Sequence, residues 1–429
     1  ISGPLGSMVG LYETAVDALC SAKGIKPKII ASTATIRRAK DQCSNLFNRE
    51  VKQFPAPGID AGDSFFAREA DLNEVPGRLY VGMMPAGKTK AMMEIRTIAA
   101  ILQRVHMMDI PDEVKDKFWT LTVYFNSLRD LSKCMTLIDD DVKDFIQRMA
   151  VRFGEKKNKR IIGQAHELTS RVTTTVLNET LQKLSDLTYS KENLDQKKYP
   201  VNVLLATNMI SVGVDVDRLN VMLLVGQPKL TSEYIQASSR VGRTYPGIVF
   251  VLYDGSKSRD RSFYEQFKGY HQSFYRFVEP TSVTPFSKPA RDRALHALAV
   301  SLMRHLYGLT DDGDAGSFRK DMEETRKIES YIKERVSQIR SRNADWLKDE
   351  TSDILSELQE FWREWDEKAN RAEQNELYYG ERYIVTVPPA EKRRLMKSYG
   401  GKGTDIARET PTSMRNVDQS ITAGLLIWE

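Results

Sequence analysis

Cysteine is scarce, with three in 429 residues. Cys20, Cys43 and Cys134 are odd in number and far apart, so they form neither a disulfide framework nor a metal-ligand pattern. A reducing, cytoplasmic compartment is therefore expected. The five histidines, His106, His166, His271, His296 and His305, are scattered and present neither a metal site nor a catalytic triad. No apolar run approaches the roughly 18 residues of a membrane span, so no membrane partner is expected. No basic segment leads into an apolar stretch at the start, so no secretion signal is expected. There is no internal repeat, and no low-complexity segment beyond one long charged stretch.

Against these absences stand 41% hydrophobic and 28% charged residues, a composition that supports sizeable cores and two or three domains. The net charge of +5 is compatible with a polyanionic partner without requiring one. The chain opens Ile-Ser-Gly-Pro-Leu-Gly-Ser, without Met. Gly3 to Ser7 matches a protease-site remnant, but such a remnant begins at its Gly. The expectation is native sequence entered in mid-domain, with a tag remnant as the alternative.

Val9, Tyr12, Val16 and Leu19 repeat at helical spacing over 9–22. Lys28 to Ala31 reads as a short strand and 36–47 as a helix. Residues 53–76 hold Pro55, Pro57, Gly58, Gly62 and Pro76 and read as loop. Strands are predicted at 78–82, 119–125, 160–164, 201–206, 221–225 and 247–253, with helices at 88–107, 128–153, 172–186 and 231–241. The continuous apolar runs at 201–206 and 221–225 suit a parallel sheet buried on both faces. Strands alternating with helices make the fold class α/β. From 257 the pattern changes to an aromatic and basic stretch, a helix at 289–307 and charged helical sequence at 316–375. Ile328, Tyr331, Ile332, Val336 and Ile339 step by three and four there, so a solvated helical hairpin is expected rather than an interaction tail.

Four motifs follow one another. Ser32-Thr33-Ala34-Thr35 comes directly after a strand. Val123-Tyr124-Phe125-Asn126-Ser127 ends a strand in small polar groups. Next are Leu204-Leu205-Ala206-Thr207-Asn208-Met209-Ile210-Ser211-Val212-Gly213-Val214-Asp215 and Gln236-Ala237-Ser238-Ser239-Arg240-Val241-Gly242-Arg243. In this order they resemble motifs III, IV, V and VI of superfamily 2 helicases. The first two are weak alone; the last two together are specific.

The chemistry of phosphoryl transfer accounts for these residue types, since it asks chiefly for positive charge on the developing negative charge of the γ-phosphate. Arg240 and Arg243, three apart near the end of a predicted helix, can face one interface as arginine fingers. Their planar, permanently charged forks grip phosphate in a bidentate manner. A pair of surface ion-pairing arginines is the plainer alternative. Thr207, Asn208 and Ser211, where strand gives way to helix, suit a nucleic-acid phosphate, as do Asn126 and Ser127. Gly213 permits a tight turn, and Asp215 either touches the nucleotide ribose, orders the arginines or caps a helix. The resemblance implies that Gln236 lies beside the nucleotide and that Ser32, Thr33, Ala34 and Thr35 couple the sites. Glu167-Leu168-Thr169-Ser170-Arg171 resembles a further strand-contact loop through Thr169 and Ser170, or is an ordinary helix start with either as N-cap.

Gly82-Met83-Met84-Pro85-Ala86-Gly87-Lys88-Thr89 fits G-x-x-x-x-G-K-[ST] after a strand and before a helix, the context of a phosphate-binding loop. No later strand ends in the acidic residues that would hold Mg²⁺, and in helicases this loop precedes Ser-Ala-Thr. Coincidence is the expected reading. Residues 257–278 interleave Lys257, Arg259, Arg261, Lys268 and Arg276 with seven aromatics. That pattern suits base stacking, although an amphipathic helix docking its aromatics on the sheet is favoured.

Gly3 to Ser7 running into Val9-Gly10-Leu11-Tyr12-Glu13, together with 206–215, 236–243, 282–287 and 410–417, is similar to large bacterial anti-phage defence helicases. The resemblance implies that the chain starts just past an Asp-Glu-x-His box. Residues 1–75 would end a first RecA-like domain, 76–256 would form the second, and 257–429 a mainly helical region. ATP with Mg²⁺ would be the cofactors, the Mg²⁺ ligands lying upstream. DNA, held by its backbone, would be the partner, with a defence-system protein as a further one. A self-contained NTPase using Gly82–Thr89 and a non-enzymatic interaction module are the alternatives.

Overall fold

The structure is a computed structural model that describes residues 3–33, 35–56, 59, 62–75, 77–154, 156, 158–169, 171–207, 216–341, 350–371, 377–380, 394–398 and 407–411. Helices α1 (Gly3–Ser21) and α2 (Ala39–Phe47) come first, then a small hairpin, β1 (Asp63–Ser64) and β2 (Ala67–Arg68). Next are β3 (Arg78–Met83), α3 (Lys90–Met107), α4 (Asp112–Trp119), β4 (Leu121–Phe125), α5 (Leu128–Leu137) and α6 (Lys143–Arg152). The middle of the chain forms β5 (His166–Leu168), α7 (Thr174–Asp186), α8 (Lys191–Asp195), β6 (Val203–Ala206), β7 (Val221–Val225), α9 (Thr231–Ser238) and β8 (Gly247–Leu252). Then come α10 (Ser258–Glu265), α11 (Phe267–Gln272), α12 (Lys288–Leu306), α13 (Glu323–Ser341), α14 (Thr351–Arg371), β9 (Met396–Ser398) and β10 (Arg408–Thr410).

Two compact units emerge. One comprises 34–36 and 55–279, the other 1–33, 37–54 and 280–429. The first holds a six-stranded, all-parallel sheet in the order β3-β8-β7-β4-β6-β5. Alternation along each strand sends successive side chains to opposite faces. Leu121, Val123, Val203, Leu205, Val221 and Leu223 face Ile98 and Leu102 of α3, Leu131 and Cys134 of α5, and Ile146 of α6. Tyr124, Leu204, Met222, Leu224, Val249 and Val251 face Leu184 of α7, Tyr234 and Ala237 of α9, and Tyr270 of α11. The expected α/β parallel sheet flanked by helices is therefore what the chain forms.

Three local expectations are corrected. Lys28 to Ala31 is not a strand: Ile30 is 87% exposed, and no neighbouring strand among the described residues offers a hydrogen-bond ladder. Arg160 to Gln164 is irregular, and the strand falls instead at 166–168. Arg160 is buried and turned inward, donating to the Trp119 and Leu102 carbonyls and to Asn202 Oδ1. Burial pulls its pKa down to about 9. The predicted helix 231–241 ends at Ser238.

In the other unit, Met8, Leu11, Ala15 and Ala18 of α1 share one core with α12. The charged hairpin of α13 and α14 forms as expected, but its inner stripe is buried there too, through Ile328, Ile332, Ile354, Leu358, Phe361 and Trp365. Trp365 stacks on Phe318 at 4.0 Å and donates Nε1–H to the Ala315 carbonyl at 2.8 Å. Asp17 of α1 accepts from buried Arg335 at 2.8 Å and from Arg49. The segment 1–75 is thus divided: 1–33 and 37–54 group with the residues after 280, and 55–75 with the sheet.

Candidate functional site

The turn that carries the two arginines lies at the amino end of β8, next to Arg78, which opens the parallel neighbour β3. The chain leaves α9 at Ser238, turns, and enters β8 at Gly247. Arg240 and Arg243 lie on this turn rather than on the helix, so the three-residue helical spacing does not set their relation.

Hydrogen bonds to the rest of the unit fix the turn instead. Arg240 N–H donates to Ala237 O at 3.2 Å, Val241 N–H to Ser238 O at 3.4 Å, and Gly242 N–H to Leu219 O at 3.0 Å. Arg78, which opens β3, donates Nε–H to Val241 O at 2.6 Å. Val241 is wholly buried. Gly242 takes φ +67°, and a Cβ there would stand 2.7 Å from Gly247 Cα. Only glycine satisfies both the left-handed backbone and the close approach. Either side of this point Arg240 is half-buried and Arg243 exposed. Each of the two arginines has an interacting neighbour.

Gln236, on the last turn of α9, donates Nε2–H to Thr35 Oγ1 at 3.0 Å. Two expected site residues 201 positions apart thus meet. Ser32 and Thr33 are exposed. Ala34, Ser170, Asn208, Ser211, Gly213 and Asp215 lie outside the described residues, as do 412–417 of the last resembling segment.

The other expected contact residues carry local duties. Asn126 Nδ2 donates to Gln227 O at 3.0 Å and so ties the end of β4 to the loop after β7. Ser127 is the N-cap of α5, its Oγ accepting from Asp130 N–H at 3.2 Å. Thr169, 1% exposed, donates its hydroxyl to Glu167, and Arg171 forks onto the same carboxylate at 2.6 and 2.7 Å. Burial acts to raise the Glu167 carboxyl, but these hydrogen bonds outweigh it and hold the pKa below the ordinary value. Thr207 is buried at the end of β6, with its N–H toward Leu168 O at 3.4 Å.

The glycine-rich stretch after β3 has structural reasons for its signature residues. Gly82 lies within the strand, and a Cβ there would meet the Phe267 ring at 2.8 Å. Gly87 turns the chain at φ +67°. Thr89 caps α3, its Oγ1 accepting from Met92 N–H at 3.2 Å. Lys88 is exposed.

Arg78 escaped the sequence reading, although its bond to Val241 aims the turn. The signal was slight, a lone cation opening an apolar strand.

Residues 157–245 match the helicase conserved C-terminal domain. Over 438 residues the chain is 41% identical to the DISARM protein DrmA of Bacillus paralicheniformis, covering 100% of this chain and 37% of that protein. The chain thus spans little more than a third of the length of this relative. Among solved structures, the DUF1998 helicase MrfA bound to DNA and AMPPNP has 16% identity and a TM-score of 0.46, over 70% of this chain and 35% of that one. Mycobacterium smegmatis helicase Lhr bound to ssDNA and AMP-PNP has 12% identity and a TM-score of 0.40, over 75% and 33%. The chain thus carries a helicase conserved C-terminal domain over 157–245, and along its whole length it is similar to DrmA.

Proposed function

We propose that the chain supplies the second motor domain of an ATP-dependent DNA helicase or translocase acting in anti-phage defence. In this reading 1–75 ends the first RecA-like domain, 76–256 is the second, and 257–429 is a helical accessory region. The observation that carries it is the fixed turn of Arg240 and Arg243, with Gln236 bonded to Thr35 beside it.

ATP, held with Mg²⁺ by residues outside this chain, supplies the phosphoryl group and the energy of its transfer. Arg240 and Arg243 bring positive charge to the γ-phosphate when the two motor domains close, and the pinned backbone keeps that charge oriented beforehand. Gln236 and Asp215 order the nucleotide side, with Gly213 giving the backbone its turn. Ser32, Thr33, Ala34 and Thr35 pass the nucleotide state to the DNA side. Asn126, Ser127, Thr169, Ser170, Thr207, Asn208 and Ser211 contact the backbone, mainly through main-chain amides where their side chains already act as caps or ties. Contacts of this kind give sequence-independent, salt-sensitive binding. A defence-system protein is the further partner.

The test is ATP turnover by the motor that contains this chain. Arg243→Ala and Arg240→Ala should each lower kcat by about 10³-fold, with little change in KM for ATP. Unchanged kcat in both variants would overturn the assignment. The 429-residue chain alone should not turn over ATP. Turnover by it, lost in Lys88→Ala, would favour the self-contained NTPase; the caps and packing that explain Gly82 and Thr89 argue against that reading.

A further inference from the structure

The helix that leads into the arginine turn takes its cap from far along the chain. Leu230 stands at the N-cap of α9, and its side chain offers no acceptor. The acceptor is Glu279, 48 residues further on. Thr231 N–H donates to Glu279 Oε2 at 2.8 Å and to Oε1 at 3.0 Å, and the Thr231 hydroxyl donates to Oε1 at 3.0 Å. A carboxylate placed here satisfies an amide that the helix itself leaves unpaired and meets the positive pole of its dipole.

Glu279 also ends a buried chain of hydrogen bonds. Tyr270 docks beneath the sheet with Phe263, Phe267 and Phe274, as an amphipathic helix requires. Its hydroxyl accepts from Gln227 Nε2 at 3.3 Å and donates to Thr231 Oγ1 at 3.3 Å. Gln227, Tyr270 and Thr231 are all buried, so the donors run in one direction, from Gln227 through both hydroxyls to the Glu279 carboxylate. Buried Val278, whose N–H bonds Tyr275 O at 3.3 Å, holds the next residue in place. Arg259 fixes the loop before α9 by donating to the carbonyls of Gln227, Pro228 and Lys229. At its other end α9 runs straight into the turn, where Arg240 N–H bonds Ala237 O.

We infer that Glu279 is a positioning residue for Arg240 and Arg243: by capping α9 it fixes the helix from which the arginine turn is presented. The inference rests on the reading that these arginines act on ATP. With eight residues, α9 is shorter than the roughly 12–15 that a helix needs to stand alone in water, so its first turn depends on outside contacts. Loss of the cap frays that turn, and the displacement passes along a helix about 12 Å long to the arginines. Glu279 touches neither nucleotide nor arginine, and its effect on the reaction is one of aim.

The experiment measures kcat and KM for ATP in the motor that contains this chain, with thermal melting of each variant. Glu279→Ala should lower kcat about tenfold and leave KM within about twofold. Glu279→Gln keeps an acceptor oxygen for Thr231 and should restore most of the rate. Thr231→Val, which keeps the N–H and loses the hydroxyl, should fall between the two. In a motor lacking both arginines, Arg240→Ala with Arg243→Ala, Glu279→Ala should cause no further loss, because nothing remains to be aimed. Ile146→Val, a core deletion on the opposite face of the sheet, should lower the melting temperature and leave kcat unchanged. Wild-type kcat in Glu279→Ala, an equal loss in Ile146→Val, or a loss that persists without the arginines would each overturn the inference and leave the arginine reading standing. Unchanged kcat on removing the arginines would overturn both. If Glu279→Ala does not fold, Thr231→Val decides by the same outcomes.

Discussion

Gly242→Ala tests the geometry that aims Arg240 and Arg243. Two costs arise at this position. Alanine in the left-handed region costs about 1–2 kcal/mol. The added methyl would stand 2.7 Å from Gly247 Cα and 2.8 Å from Gly247 N, both backbone atoms that cannot rotate away. Such overpacking costs about 1–3 kcal/mol. The sum, about 2–5 kcal/mol, falls on a unit of about 230 residues, for which each kcal/mol lowers Tm by roughly 2–4 °C. A drop of about 4–20 °C is expected by differential scanning calorimetry. Gly247→Ala meets the same contact from the other side without the positive φ, so it should cost only the second part. The double variant should fall short of the sum, because one displacement relieves both clashes. Gly269→Ala, with open space and helical backbone, is the control and should be neutral or slightly stabilising. A Gly242→Ala chain that melts with the wild type, or costs that simply add, would refute the argument.

Three further outcomes are expected. Burial, with the Arg408 charge second, lowers the His296 pKa to about 4. The folded form thus resists protonation, and stability present above about pH 6.5 should be lost as pH falls toward 4, by up to about 3 kcal/mol. Urea unfolding from pH 7 to 5 should show this loss, and His296→Phe should flatten it. Asp116→Ala should cost about 3–5 kcal/mol by stranding buried Arg218, which Asp116 meets at 2.5 Å; replacing both partners with apolar residues should restore much of that in equilibrium unfolding. Thr35→Val removes the acceptor for Gln236 and should cost about 1 kcal/mol. It should also reduce stimulation of ATP turnover by DNA more than basal turnover, and equal loss of both would count against a coupling role.

The sheet was legible wherever burial on both faces forces continuous apolar sequence, as at Val221–Val225 and Val203–Ala206. Caps were legible as well, since Thr89 and Ser127 are of the residue type that a helix start demands. The edge strand β5 was not. His-Glu-Leu carries no strand pattern and is extended because β6 lies beside it. Arg-Ile-Ile at 160–162 mimics a strand, yet Ile161 is 77% exposed and Arg160 turns inward to bond carbonyls. The residue types of the candidate site were readable, but their placement was not. Nothing in Ser-Ser-Arg-Val-Gly-Arg announces that the helix stops at Ser238, or that Arg78, far upstream, holds the turn. The bond from Gln236 to Thr35 is likewise a long-range contact that no local pattern encodes.

The strand order has a consequence for how the chain is made. Among the described residues β3 pairs only with β8, so residues 78–83 wait for residues 247–252 before they have a ladder. On a ribosome, β4, β6 and β7 can close around their helices while β3 still lacks its neighbour. Non-local parallel pairing of this kind is slow to form. The same final event brings Arg78 to Val241 and Gly242 to Gly247. A nascent or partly frayed chain would therefore hold most of its core while the turn of Arg240 and Arg243 is still unfixed.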